Sequence, residues 1–222
     1  MNQFNGFTDD TLIFLKELKN NNNKLWFEKN RYRYEKVLLE PFKLLVCELS
    51  PSMLKIDRDF ETTPKIDRTI SRIYRDTRFS KDKSLYRPNM WITFKRNNKE
   101  WKTYPAFFFE LYHDWYRYGM GFYSANKEIM DKFRNKIENN INEFKKATTF
   151  LNDKIFLLEG EKYKRRINNN LPDEIQEWYQ RKTFYLVCNR KINNNIFSNK
   201  IISEINVGFM TLAPLYGFLM EL

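Results

Sequence analysis

Three aromatic-rich segments with short breaks between them constrain this fold more than any other feature of the chain. They are Met90-Trp-Ile-Thr-Phe94, Tyr104-Pro-Ala-Phe-Phe-Phe-Glu-Leu-Tyr112 and Trp115-Tyr-Arg-Tyr-Gly-Met-Gly-Phe-Tyr123. Aromatic and β-branched side chains pack well on a pleated surface. Only His113-Asp114 separates the last two segments, so they predict an antiparallel hairpin with a short turn. Thr69-Ile-Ser-Arg-Ile-Tyr74, Lys154-Ile-Phe-Leu-Leu-Glu159 and Thr183-Phe-Tyr-Leu-Val-Cys188 predict further strands.

Helical patterns lie on both sides of this region. Thr8 caps a helix in which Leu12, Leu15 and Leu18 recur every three residues, with Asp9 and Asp10 at the positive end of its dipole. That helix stops in the run Asn20–Asn23. A second helical segment carries Trp26, Asn30, Tyr34, Val37 and Leu38 on one side, and Pro41 kinks it or starts a new helix. The pattern then continues through Leu44, Leu45, Leu49 and Met53 to about Lys55. Beyond the hairpin, Ile129, Phe133, Ile137, Ile141 and Phe144 form one apolar face over roughly twenty residues. Leu171-Pro-Asp-Glu opens a short helix with Pro at its first position, closed by Arg181 and Lys182. A last helix runs from about Lys200 to Met220, broken or bent at Pro214. Helices and strands without regular alternation indicate α+β. The expectation is a single domain over 1–222, with a central, mostly antiparallel sheet flanked by N-terminal, middle and C-terminal helices. No internal repeat or linker interrupts it, and the trio Asn168–Asn170 reads as loop.

With 20 Phe, 13 Tyr and 5 Trp in 222 residues, general disorder is excluded and a substantial core is available. Six Gly are too few for a Gly-rich nucleotide-binding scaffold. Cys47 and Cys188 each follow apolar residues and read as buried free thiols. The N-terminus has no signal-peptide pattern. The longest apolar run, Val207 to Met220, contains Gly208, Pro214 and Gly217 and falls short of the roughly twenty residues of a bilayer span. These features imply a soluble, cytoplasmic protein with no membrane association.

The net charge of +11 is unevenly distributed. Residues 1–64 balance, with ten cations and ten acids. Residues 65–96 hold ten Lys and Arg against Asp67, Asp76 and Asp82, a net of +7. A chain with 25 Asn and 24 Lys shows the bias of AT-rich coding sequence, which accounts for much of the Lys. It does not account for Arg68, Arg72, Arg75, Arg78 and Arg87, five of only 15 Arg.

The pattern Arg75-Asp76-x-Arg78-Phe79-Ser80-x-Asp82-Lys83-x-x-Tyr86 resembles the central motif of the family catalogued as domain of unknown function 2461. Gly6-Phe7, Thr11-Leu12, Phe14-Leu15, Leu18, Asn22-Asn23 and Trp26-Phe27 fit the same family. So do Gly119-x-Gly121-x-Tyr123, Trp178-Tyr179 and Arg181-Lys182-x-Phe184. Leu85 departs from it, standing where the family usually has Pro, which implies a less rigid loop. The resemblance runs from about Phe4 to Leu219. It implies a shared α+β domain of bacteria and fungi, with no established activity, cofactor or catalytic residue.

The loop Arg72–Arg87 is the foremost candidate site. Read as a strand, it places Arg72, Tyr74, Asp76 and Arg78 on one face. Its two internal acids cannot neutralise its six cations, so some charge must meet solvent, distant carboxylates or an anionic ligand. Arg forks suit phosphate and carboxylate. The expectation is an anion-binding module for a phosphate-bearing small molecule or nucleic acid. Arg72, Arg75, Arg78, Lys83 and Arg87 would contact the anion, and Asp76 and Asp82 would orient them. One alternative is an enzyme acting on a phosphorylated or carboxylated substrate at the same loop. Another is a non-catalytic scaffold in which the loop is an ion-pair clasp. No metal site or cofactor is expected, because the cations would repel a divalent ion. The sole His, His113, has no nucleophile motif around it, and Glu110, Asp114 and Glu159 are scattered acids. Tyr74, Tyr86, Trp91, Tyr116 and Tyr118 fit sheet packing better than base stacking.

Overall fold

A computed structural model describes residues 3–78, 81–98, 100–167 and 171–221. Thr8 opens the first helix, α1 (Asp9–Asn20), through a reciprocal capping box with Thr11. Asn23 caps α2 (Lys24–Lys29), and a short α3 (Arg31–Tyr34) leads into a π-helical turn over Glu35–Leu39. Widening that turn leaves the Val37 carbonyl to accept from the hydroxyl of the buried Thr11, at 2.7 Å. Pro41 then occupies the first turn of α4 (Glu40–Ile56), where a missing N–H costs nothing. Along α4, Phe42, Leu45, Val46, Leu49 and Met53 are buried, so Cys47 falls on the opposite face. Contrary to the expectation from its apolar neighbours, Cys47 is exposed; Cys188 is buried, and both are free thiols.

The strands are β1 (Met90–Phe94), β2 (Pro105–Leu111) and β3 (Trp115–Phe122), followed by the helices α5 (Lys127–Asn139) and α6 (Ile141–Ala147). Next come β4 (Leu157–Glu159), α7 (Asp173–Tyr179), β5 (Tyr185–Lys191) and α8 (Lys200–Met220). The five strands form one antiparallel sheet in the order β1-β2-β3-β5-β4, and the class is α+β. Thr69–Tyr74 does not form a regular strand. It runs beside β1 through isolated bridges, with Ser71 N–H donating to the Trp91 carbonyl and Thr93 N–H to the Thr69 carbonyl.

The apolar face expected over Ile129 to Phe144 belongs to two helices. Asn140 leaves helical geometry at φ −135° and its side-chain amide donates to the Lys136 carbonyl, closing α5. Pro172 sits at the cap of α7, one position earlier than its sequence suggests. α8 runs unbroken through Pro214. The carbonyl that loses its partner there belongs to Met210, whose residue is 49% exposed and within reach of water. Pro51 in α4 uses the same device, with the exposed Cys47 four residues before it. By length and composition α8 is apolar enough to cross a membrane. Its buried residues Ile201, Ile205, Phe209, Leu212, Leu215 and Leu219 recur at the spacing of a helix laid on a protein core.

The chain divides into two compact units. The first comprises residues 1–94, 108–117 and 189–207. Its core stacks Phe4, Phe7, Phe42, Phe109 and Tyr116, and Gly6 at φ +106° brings the N-terminal chain against Phe197. The second comprises 95–107, 118–188 and 208–222. There Phe133, Phe144, Trp178, Phe184 and Phe218 form a chain of ring contacts 5.0–5.5 Å apart. Two buried arginines bind the connecting backbone. Arg134 donates to the Tyr179 and Arg181 carbonyls, and Arg181 to those of Gly160 and Leu158. Burial pulls the Arg181 pKa down from its ordinary value.

Gly119 allows the closest backbone approach of any glycine in the second unit. A Cβ at this position would lie 1.8 Å from the Leu186 carbonyl oxygen, whereas one at Gly217 meets nothing within 4 Å. Gly119→Ala is expected to cost about 3 kcal/mol and lower Tm by about 6–12 °C. Gly217→Ala in the exposed face of α8 should instead stabilise by about 0.5–1 kcal/mol. Thermal unfolding of the two variants, read by circular dichroism, checks the contrast; equal midpoints would contradict it.

Candidate anion-binding site

The cationic loop is held by an apolar anchor. Tyr86 is 1% exposed and stacks on Phe27 with ring centroids 4.2 Å apart. Arg75 N–H donates to the Leu85 carbonyl and Arg87 N–H to the Ile73 carbonyl, so 73–75 and 85–87 pair as a minimal antiparallel ladder. Tyr86 then points its own backbone groups outward. Asn22 meets both: its amide donates to the Tyr86 carbonyl at 2.8 Å, and Tyr86 N–H donates to Asn22 Oδ1 at 2.9 Å. Arg31 ties the other side, pairing with Glu28 at 2.6 Å and donating to the Tyr74 hydroxyl at 3.3 Å. Burial, with Tyr74 alongside, pushes the Tyr86 phenol up to about 12.

Beyond this ladder the chain turns through ion pairs rather than continuing as a strand. Arg78 grips Asp76 with both ends of its fork, at 3.0 and 2.7 Å, and Asp76 also accepts from Arg78 N–H. Asp82 accepts from Ser84 N–H at 2.9 Å and pairs with Arg75 at 3.2 Å. Arg72 pairs with Asp67 at 2.5 Å, and Lys83 donates to the Thr77 carbonyl at 2.8 Å. Phe79 and Ser80 of the sequence motif lie outside the described residues.

The candidate cations therefore separate into two groups. Arg72 and Arg78 are mostly exposed and each is engaged by an aspartate. Arg75 and Arg87 lie at the base. The Arg75 side chain is 24% exposed, and its Nε is buried with no hydrogen-bond partner among the described residues. Arg87 donates to the Arg72 and Tyr74 carbonyls and lays its guanidinium 5.0 Å from the centre of the Trp91 ring.

Just before β1, Asn89 meets a polar network that sequence reading did not assemble. Glu110 is 7% exposed. It accepts from the Asn89 amide at 2.5 Å, the Tyr112 hydroxyl at 3.1 Å and Arg117 Nε at 2.5 Å. A buried carboxylate needs such partners, since an unpaired charge costs several kcal/mol. With three donors on its two oxygens, Glu110 holds Arg117 and Tyr112 in place. Burial first, then Glu110, pushes Tyr112 up to about 12, and Arg75 is close enough to oppose that shift. Arg75 thus belongs to the same neighbourhood as Tyr112. The signal was present in the hairpin: with His113-Asp114 as the turn and Tyr112 N–H on the Trp115 carbonyl, Glu110 falls opposite Arg117.

His113 Nδ1 lies 3.4 Å from Asp114 in the turn. Glu159 accepts from the Tyr185 hydroxyl at 2.7 Å on β4. Among the described residues no group of three His, Cys, Asp or Glu is placed to hold a metal ion.

The Arg78 fork holds the Asp76 carboxyl at about 2, below its ordinary 3.8. A depressed folded-state pKa favours folding above the unfolded value, and the contribution is lost as pH falls through the folded one. For Asp76 that window runs from 3.8 down to about 2. Carboxyl NMR titration should place Asp76 near the lower end, and Arg78→Ala should return it toward the upper; an unmoved midpoint would show the pair to be absent in solution. Asn22→Ala strips both backbone groups of Tyr86 of their partner and should cost about 1–3 kcal/mol in urea unfolding, with m unchanged.

No curated protein is similar enough to this chain to register as a match. The sequence model for the conserved hypothetical proteins (DUF2461) matches residues 10–218, from α1 to the last turn of α8, and the chain belongs to that family.

Proposed function

We propose that this protein binds a phosphate-bearing ligand at the base of the cationic loop, beside Arg75, Arg87, Trp91 and Tyr112. The supporting observation is one of charge. Within the first unit, residues 65–94 carry eight cations and three aspartates, and all three aspartates already engage an arginine of the segment. Internal pairing leaves a net of +5 standing. An excess of this size draws an anion into the region and speeds its arrival.

The base suits a ligand better than the tip. Arg78 spends its fork on Asp76, so a phosphate there must displace a two-point pair. Among the described residues Arg75 pairs with Asp82 alone, at 3.2 Å, a contact that an incoming phosphate can share or replace. Trp91 and Tyr112 add a ring and a hydroxyl beside these cations, suited to a ligand that carries an aromatic or hydroxylated group with its phosphate.

A structural clasp is the competing reading, favoured by the ion pairs that close the turn. Isothermal titration with inorganic pyrophosphate separates the two. Hydrogen bonds to charged groups are worth about 1.5–3 kcal/mol each, so Arg75→Ala with Arg87→Ala should weaken binding by about a hundredfold or more. If pyrophosphate binding is unchanged and only Tm falls, the loop is a clasp. A log–log salt slope steeper than a small anion can produce would identify a polyanion as the ligand.

A further inference from the structure

In the second unit, the connection from Phe94 to Pro105 carries a surface that the loop reading does not involve. A single 3₁₀ turn, Trp101–Thr103, lifts Trp101 into contact with Tyr123, which follows the end of β3. Their ring centroids are 5.2 Å apart with planes at 47°. Tyr123 is 71% exposed and Trp101 partly so. Cations border both rings: Lys95 Nζ lies 3.8 Å from the Trp101 centroid, and Lys102 Nζ lies 5.9 Å from both. Beside them Arg96 covers Tyr104 at 5.6 Å.

We infer that Trp101 and Tyr123 form a stacking platform for single-stranded nucleic acid, with Lys95, Arg96 and Lys102 placed for its phosphates. Such sites pair aromatic faces, which accept any base, with cations that follow the backbone. Tyr123 is mostly in solvent, where a base can reach it. The charge favours a polyanion: residues 95–104 hold four Lys and Arg against Glu100 alone. A membrane-inserting surface would offer aliphatic side chains, but no Leu, Ile, Val, Met or Phe in 95–104 or 118–127 is among the exposed large apolar residues. The flanking Asn97, Asn98 and Asn126 are exposed and polar.

The test is fluorescence anisotropy of a labelled short oligothymidylate with the full chain. Stacking on one aromatic side chain is worth about tenfold or more in affinity, so Tyr123→Ala should weaken binding by about that factor and Trp101→Ala by at least as much. Lys95→Gln with Lys102→Gln should make the log–log salt slope shallower by about 1.4, at about 0.7 per lost phosphate contact on a single strand. Tyr123 is exposed enough that its variant keeps the fold, which circular dichroism checks. Duplex DNA should compete poorly, because its bases are not free to stack. The inference is overturned if no oligothymidylate binding is measured, or if Tyr123→Ala binds as the parent does. It is also overturned if inorganic polyphosphate competes as well as the oligonucleotide at equal charge, or if anionic vesicles bind through the same residues in its place.

Discussion

Tyr86 is buried against Phe27 while its two backbone groups are satisfied by the Asn22 side chain, and the placement of the cationic loop depends on this arrangement. The loop sequence is too polar to fold on its own. Its ten-cation surroundings favour dispersal, and its exposed ion pairs contribute little to stability. Packing one aromatic ring in the core, and pairing Arg75 with Leu85 and Arg87 with Ile73 through the backbone, fixes the ends of the turn. Once the ends are fixed, the aspartates decide which arginines are held at the tip and which stay at the base. The electrostatic surface is therefore set by an apolar contact beneath it.

Glu110 shows the same dependence in reverse. Its carboxylate occupies a strand whose neighbours are Phe107, Phe108, Phe109 and Leu111, and only its three donors make that position tolerable. Those donors come from the residue before β1, the residue after β2 and from β3, so the network is complete only when the strands are in register. Arg134 and Arg181 play a comparable part in the second unit, where buried guanidinium groups donate to backbone carbonyls of separate segments. In each case a costly buried charge specifies one arrangement of chain segments.

Features written in local periodicity were legible in the sequence: the Thr8 cap, the hairpin around His113-Asp114, the strand Met90–Phe94 and the helix from Lys200. Features set by which face meets solvent were not. Cys47 sits among apolar residues but one step around the helix from Val46, and a run of hydrophobic letters does not reveal that rotation. Pro214 reads as a break, yet its missing bond falls on the exposed side of α8, where water replaces it. Asn140 reads as one polar residue in a long apolar pattern, but its amide closes the preceding turn. For the candidate site, the basic residues were visible as composition. Their division into tip and base follows from partners such as Asp67 and Trp91, which only the fold brings alongside them. The Glu110–Arg117 pair was within reach, given the hairpin register, but a lone acid in an aromatic strand carries no label of its own.

The Asn22 clamp has a consequence for the molecule among its neighbours. A short ladder such as 73–75 with 85–87 presents an outer edge, and an edge with unpaired N–H and C=O groups is a template for a strand from another chain. The Asn22 amide takes the place such a strand would fill, occupying both groups of Tyr86 at once. With Asn22 in that place, the Tyr86 edge beneath the loop is capped without adding a strand to the sheet.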